Sequence, residues 1–149
     1  MKKLLMLGEG FLQDFVIRKA HDLGYFVYCL DVNPNAVGFK SASESAVINI
    51  VDEEACLAFA REKNIDGVLT AATDYSVLAM SRIATVLGLP GINYDSARLI
   101  KNKAAVRKVL FDANADDSGY SHLVDSTECA LQIKDKVVYP VMVKPCDGQ

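Results

Sequence analysis

Residues 3–10 read Lys-Leu-Leu-Met-Leu-Gly-Glu-Gly, and this stretch decides the fold. A short apolar run that ends at a glycine is typical of a buried parallel strand. The next segment predicts a helix that is closed by Gly24. Its apolar residues recur at helical spacing and are Phe11, Leu12, Phe15, Val16, Ala20 and Leu23. Strand, glycine turn and helix in this order predict the first β-α unit of an open parallel sheet.

The alternation of strands and helices continues to about residue 90. Further strands are predicted at 25–30, 46–50 and 67–70. One helix is predicted to begin after the N-cap Asp52, and another to run from Thr73 or Asp74 to Leu87. This order predicts an α/β fold with a Rossmann-like open parallel sheet over residues 1–95.

Residues 96–149 predict a second domain with a different pattern. We expect one short helix capped by Asp95 and another over 102–113, a polar break at 114–119, and strands at 120–124 and 137–143. Pro140 lies inside the last strand, which predicts an edge position or a bulge because proline cannot donate a ladder hydrogen bond. Such an apolar strand with an uncovered edge invites pairing with another chain. We therefore expect poor order beyond about residue 98, or association into a homo-oligomer.

Composition excludes several classes of protein. The 149 residues are 51% apolar and 23% charged, which fits an ordinary globular chain. The net charge of −3 does not provide the basic surface that nucleic acid requires. No apolar run is long enough to cross a membrane, so we expect a soluble, cytoplasmic protein. Four cysteines and two histidines are scattered without metal-ligand spacing, which argues against a zinc site.

The turn Gly8-Glu9-Gly10 is the first candidate binding motif. Glycines let a ligand approach the backbone, and the following helix N-terminus favours an anion. Asp31 ends the second strand, near the place where dinucleotide folds carry a ribose-binding acid. The third glycine of the dinucleotide fingerprint is absent, because position 13 is Gln13. A nicotinamide-dependent oxidoreductase and a plain β-α turn both remain open at this point.

Three further features can be interpreted either as part of a binding site or as ordinary structural features of the fold. Thr73 and Asp74 follow the fourth strand, where they either face a ligand crevice or cap the next helix. Lys103 lies in a window from Arg98 to Lys108 that has five basic residues and no acidic one, as a solvated helix face also would. Lys144 ends the last apolar strand, where it either reaches a phosphate or extends into solvent.

In combination and in order, these motifs resemble the ATP-grasp superfamily. The stretches that carry the resemblance are Ile65-Asp66-Gly67-Val68-Leu69-Thr70, Leu87-Gly88-Leu89-Pro90-Gly91, Asn102-Lys103, and Tyr-Pro-Val-Met-Val-Lys-Pro at 139–145. The chain looks similar to the branch of carbamoyl-phosphate synthase large subunits and phosphoribosyl-amine ligases, with biotin carboxylase as a more distant relative. The resemblance implies a Rossmann-like domain followed by the start of an ATP-grasp domain. It also implies an enzyme that uses ATP to convert a carboxylate into an acyl phosphate, which an amine then attacks.

The resemblance also implies roles for single residues. Lys103 and Lys144 would bind the phosphates of ATP. Gly8, Glu9 and Gly10 match a loop that would help to form the site of the acceptor substrate. Asp31 and Asp74 lie at similar edges of the sheet and, with Thr73, are further candidates for that site. The carboxylates that hold Mg²⁺ in this superfamily are expected beyond residue 149, as are the catalytic residues, so we expect the 149-residue chain to be inactive in ligation. Its partners would be a small-molecule carboxylate and an amine. A non-catalytic module that binds a small ligand is a third interpretation.

Overall fold

The computed structural model describes residues 1–115 and 121–145, and a four-stranded parallel sheet forms its first half. The strands are β1 (Lys3–Leu7), β2 (Phe26–Asp31), β3 (Glu44–Val47) and β4 (Gly67–Leu69), in the spatial order β3-β2-β1-β4. The register places Leu5 of β1 opposite Tyr28 of β2 and Val68 of β4. All four strands therefore end at one edge, and the loops that follow them meet there.

Helices cover both faces of the sheet. Helix α1 (Phe11–Asp22) contributes Ile17 and Ala20 to a core cluster on one face. Helices α2 (Glu53–Lys63) and α3 (Val77–Leu87) pack on the other face. The fully buried residues of this second cluster include Leu5, Leu7, Leu30, Cys56, Ala60 and Ile83. This arrangement confirms the predicted α/β fold with an open parallel sheet.

Local signals in the sequence set the ends of the helices. The Asp52 side chain accepts a hydrogen bond from the Ala55 amide at 3.0 Å, as predicted for an N-cap. Helix α2 ends at Asn64, which adopts a left-handed conformation with φ of 50°. Gly88 ends α3 in the same conformation, with φ of 66°.

Some predicted boundaries are wrong. β3 begins at Glu44, two residues before the predicted start at Ala46. α3 begins at Val77 with Ser76 as its N-cap, because Thr73 and Asp74 instead form the turn that precedes the helix. In that turn the Thr73 hydroxyl accepts from the Tyr75 amide at 3.3 Å, and the Asp74 carbonyl accepts from the Val77 amide at 3.4 Å.

A further correction concerns the cap of α4 (Tyr94–Lys101). The side chain of Asn93 accepts from the amides of Asp95 and Ser96, at 2.9 and 3.4 Å. Asn93 therefore caps the helix, and the predicted cap Asp95 lies within its first turn.

The chain divides into two compact units, Met1–Ala97 and Arg98–Gln149. The second unit contains α5 (Lys103–Asp112) and α6 (Thr127–Ile133), and its described residues, 98–115 and 121–145, contain no strand. The predicted strand at 137–143 is therefore wrong, and so is the one at 120–124 over its described residues 121–124. An isolated strand leaves its backbone groups without ladder partners, and in the described part these segments pair with none of the four strands. Residues 116–120 and 146–149 lie outside the described residues. Part of the predicted polar break belongs to them, as does Tyr120, the first residue of the predicted strand at 120–124.

Among the described residues, no helix is both long enough and apolar enough to cross a membrane.

Candidate functional site

The loop after β1 lies at the carboxyl edge of the sheet, against the loops that follow β2 and β4. The Gly8 amide donates to the Leu30 carbonyl at 2.9 Å, which fixes the loop to the end of β2. Gly8 has φ of +95°, a conformation that favours glycine. A Cβ at this position would lie 3.8 Å from Cγ2 of Thr73 and 3.6 Å from Cδ1 of Ile50. The fold therefore brings Gly8 and Thr73 side by side at this edge of the sheet.

Asp31 organises the backbone of this edge. One carboxylate oxygen accepts from the Glu9 amide at 2.9 Å, and the other accepts from the Asn33 amide at 2.8 Å. Each oxygen thus fixes one loop, which holds the glycine turn and the turn after β2 in a defined geometry. The sequence suggested Asp31 as a possible ribose-binding acid. In the structure both of its carboxylate oxygens accept hydrogen bonds from backbone amides.

Glu9 is the most unusual side chain of the site. It is fully buried, and neither carboxylate oxygen has a hydrogen-bond partner among the described residues. Burial raises the pKa of Glu9 to about 8, and the negative charge of Asp31 contributes to the rise. The Ser45 hydroxyl lies close enough to offset part of it, without forming a regular hydrogen bond. Glu9 is therefore mostly protonated at neutral pH.

A 3₁₀ turn at Val37–Lys40 packs over Glu9. The Gly38 amide donates to the Glu9 carbonyl at 3.0 Å. A Cβ at Gly38 would lie 3.2 Å from that carbonyl oxygen and 2.9 Å from Cδ1 of Ile17. Only glycine fits here without displacing its neighbours, so the turn packs directly against the carbonyl and Cβ of Glu9.

Gln13 occupies the position of the missing third glycine. Its side-chain amide donates to the Ala71 carbonyl, which joins α1 to the loop after β4. Its other side-chain atom, Oε1, would lie 2.8 Å from a Cβ at Gly10. The packing of Gln13 against Gly10 is one reason for a glycine at position 10 that does not involve a dinucleotide. In the sequence, Gln13 was noted only as a departure from the dinucleotide fingerprint. Its position as a polar residue on the buried side of α1 was the signal that could have identified its structural role.

The loop after β4 is held by a chain of hydroxyl groups. Thr70 donates to the Leu7 carbonyl at 3.0 Å, and its oxygen lies 2.7 Å from that of the buried Ser76. Because the Thr70 proton is used, Ser76 is the donor of the second bond. The pair ties α3 to the end of β1 and presents Thr73 and the exposed Asp74 at the sheet edge. Sequence reasoning missed Ser76 because Thr73 and Asp74, which are also common N-cap residues, come shortly before it.

The two predicted ATP-binding lysines lie in the second unit. Lys103 is the first residue of α5 and is partly buried, directly after Asn102, whose side chain accepts from the Ala105 amide at 3.0 Å. Lys144 is exposed in a segment without regular structure. In the described part of the chain, no cluster of three or more histidine, cysteine, aspartate or glutamate side chains could hold a metal ion.

Sequence comparison identifies relatives of two enzyme types. Biotin carboxylase 2, chloroplastic, of Populus trichocarpa is 27% identical over 168 residues, which cover 99% of this chain and 30% of the relative. The formate-dependent phosphoribosylglycinamide formyltransferase of Prochlorococcus marinus is 28% identical over 150 residues, which cover 97% of this chain and 37% of the relative. No family model matches the chain.

Structural comparison finds the same fold in solved enzymes. The N5-carboxyaminoimidazole ribonucleotide synthetase from Thermotoga maritima superposes with a TM-score of 0.78 at 21% identity, over 99% of this chain and 39% of the other. The L-amino acid ligase from Bacillus licheniformis gives 0.73 at 22% identity, over 99% and 38%. The chain thus spans about a third of the length of the curated relatives named above. These sequence relatives and structural neighbours are ATP-grasp enzymes, the superfamily that the motifs of the chain resemble.

Proposed function

We propose that the chain is part of an ATP-dependent carboxylate–amine ligase that acts through an acyl phosphate. One observation carries this proposal: relatedness to biotin carboxylase and to the formyltransferase extends over 97–99% of the chain, through both units. ATP would convert the carboxylate into an acyl phosphate, and an amine would displace the phosphate. A closer kinship to carbamoyl-phosphate synthase stays a prediction, because the relatives found are of other types.

In this proposal the first unit binds the acceptor substrate at the carboxyl edge of its sheet. Gly8 and Gly10 carry no side chain of their own, and Thr73 lies next to Gly8. The exposed Asp74 adds a carboxylate that can accept a hydrogen bond from an amine or a sugar hydroxyl. Asp31 and Glu9 support the glycine loop and do not contact the substrate in this proposal. The Asp31 carboxylate holds the loop in place, and the Glu9 side chain is buried.

The second unit would supply cationic groups to ATP. Lys103 and Lys144 fit the phosphates by charge, since lysine binds phosphate as a compact point charge. Bound Mg²⁺ would neutralise the charge that develops on the transferring phosphoryl group. The described residues contain no carboxylate cluster for this ion, so its ligands are proposed to lie elsewhere in the enzyme. We accordingly expect the 149-residue chain alone not to catalyse ligation.

The oxidoreductase alternative has less support. The relatives named above are not oxidoreductases, and Gln13 fills the position that the dinucleotide fingerprint reserves for a glycine. A non-catalytic binding module would use the same sheet edge, and ligand titration alone does not separate it from a ligase. ATP turnover by an enzyme that includes this chain does separate the two.

The binding step is tested by titrating the ¹⁵N-labelled chain with phosphoribosylglycinamide, the compound in the name of one relative, and then with NADH. We expect the amide signals of Gly8, Gly10 and Thr73 to shift with the ribonucleotide and not with NADH. Shifts at this edge with NADH alone would favour the oxidoreductase and refute the proposal.

Matched aspartate variants locate the site. Asp31→Asn should weaken binding because it loosens the bond to the Glu9 amide that holds the glycine loop. Asp66→Asn is the control, since Asp66 accepts from the Lys3 amide at 2.7 Å at the opposite edge of the sheet. If both variants bind as the wild type does, the ligand does not use this edge. Release of phosphate from ATP by the 149-residue chain, at a rate typical of ligases, would contradict the predicted inactivity.

A further inference from the structure

The side chain of Gln13 lies between two of the loops that form the candidate substrate edge. Gln13 is the third residue of α1 and is 7% exposed. Its Nε2 atom donates to the Ala71 carbonyl in the loop after β4. The same nitrogen lies 3.9 Å from the position of a Cβ at Gly8, and Cγ2 of Thr73 lies 3.8 Å from that position. Gln13 and Thr73 therefore both adjoin the backbone of Gly8.

The bond to Ala71 fixes the orientation of the side-chain amide. A backbone carbonyl only accepts hydrogen bonds, so the NH₂ group of Gln13 has to face it. The Oε1 atom accordingly points toward Gly10, where a Cβ would come within 2.8 Å of it. Turning the amide over would bring two oxygens together and lose the bond to Ala71. Gln13 thus holds a carbonyl oxygen in a fixed direction beside the glycine turn.

The Oε1 atom of Gln13 has no hydrogen-bond donor among the described residues. A glutamine at the third helical position can cap its own helix by accepting from the N-cap amide, here that of Gly10, but this bond does not form. The oxygen is also not enclosed in the way that both carboxylate oxygens of Glu9 are. Glycine at position 10 leaves the approach to Oε1 open, whereas a side chain there would cover it.

The chemistry of this oxygen suits the amino group of an acceptor substrate. An amine attacks through its lone pair, so it has to be uncharged when it reacts with an acyl phosphate. A neighbouring carboxylate favours the protonated ammonium form, because opposite charges attract. The side-chain carbonyl of glutamine is neutral, so it accepts from an amine N–H without that preference. Both carboxylate oxygens of Asp31 are engaged by backbone amides, whereas Gln13 offers its oxygen beside the turn.

We propose that Gln13 is a specificity-determining residue whose Oε1 atom accepts a hydrogen bond from the amino group of the acceptor substrate. The inference rests on the proposed function, in which this substrate binds at the carboxyl edge of the sheet. The bond to Ala71 orients the oxygen before the substrate arrives, so little rotational freedom is lost on binding. One neutral hydrogen bond of this kind corresponds to about a two- to tenfold change in affinity.

The test is an NMR titration of the ¹⁵N-labelled chain with phosphoribosylglycinamide, which has an amino group, and with ribose 5-phosphate, which has none. The side-chain amide signals of Gln13 should shift with phosphoribosylglycinamide and not with ribose 5-phosphate. Gln13→Met has a similar length and no oxygen, so it should weaken the binding of phosphoribosylglycinamide about fivefold. Gly10→Ala should weaken it as well, because the added Cβ covers Oε1. Gly10 has φ of −71° and ψ of 179°, which alanine also adopts, so this variant should fold even if Gln13→Met does not.

Gln132→Met is the matched control, because Gln132 is an exposed glutamine of α6 in the second unit, and it should bind as the wild type does. The inference is overturned if the Gln13 side-chain signals do not respond to phosphoribosylglycinamide. It is also overturned if Gln13→Met weakens the binding of both compounds equally, since the residue then only holds the two loops together. Binding that is unchanged in both Gln13→Met and Gly10→Ala would overturn this inference alone. A wild-type chain that binds neither compound would overturn the proposed function with it.

Discussion

The protonation of Glu9 should make the stability of the first unit depend on pH. In the folded chain the pKa of Glu9 is raised from 4.5 to about 8, chiefly by burial. Between these two values the folded state keeps a proton that the unfolded state releases. The free energy of unfolding must therefore fall as pH rises through this window.

The magnitude follows from the shift. Each unit of pKa corresponds to about 1.4 kcal/mol, so the contribution of Glu9 should decline by about 3 kcal/mol between about pH 5 and pH 8. Glu9→Gln has the same shape and cannot ionise, so this part of the pH dependence should disappear. At about pH 5 the variant and the wild type should differ little, and at about pH 8 the variant should be the more stable.

Urea unfolding of both chains between about pH 5 and pH 8 measures this difference, with NMR signals from β1 and β2 reporting on the first unit. Glu62→Gln serves as the control, because the Glu62 side chain is 71% exposed and its replacement should leave the slope as in the wild type. A carboxyl ¹³C titration of Glu9 gives the pKa directly. The reasoning would be refuted if the free energy of unfolding changed equally with pH in the wild type and in Glu9→Gln and the ¹³C titration of Glu9 had its midpoint near pH 4.5.

Three other predictions concern packing and capping. Gly38→Ala should lower the free energy of unfolding by about 1–3 kcal/mol, because the added Cβ would press on Ile17 and the Glu9 carbonyl; an unchanged urea midpoint would contradict this. Cys29 and Cys56 are fully buried, and burial with the nearby Asp52 charge raises the pKa of Cys56 to about 11. Both thiols should resist a disulfide reagent until urea is added, and mass spectrometry should find neither modified in the folded chain. Asp52→Ala should cost about 1 kcal/mol, whereas Asp52→Asn should retain most of the cap, as thermal melts of the two variants would show.

The sequence determined the elements of the first unit because its signals there are local. Each of these signals acts within a few residues of the chain. They are the apolar run before Gly8, Asp52 at the start of a helix and Gly88 at the end of one, and the structure has each where it was predicted. The relationship to ATP-grasp enzymes also followed from the order of motifs. In the second unit the predicted strand at 137–143 failed, because an apolar run forms a strand only where another strand can pair with it.

The tertiary structure decided which way the side chains point and what they meet. Spacing around α1 identified an apolar stripe, yet the sheet packs on Gln13, Ile17 and Ala20 and leaves the aromatic side outward. The sequence placed Glu9 in a candidate binding turn, and only the fold shows that its side chain is buried. Both outcomes depend on contacts between residues distant in sequence, and local periodicity carries no information about them. For that reason the sequence could predict that the candidate site lies at an edge of the sheet. The buried, protonated state of Glu9 within that site could be derived only from the tertiary structure.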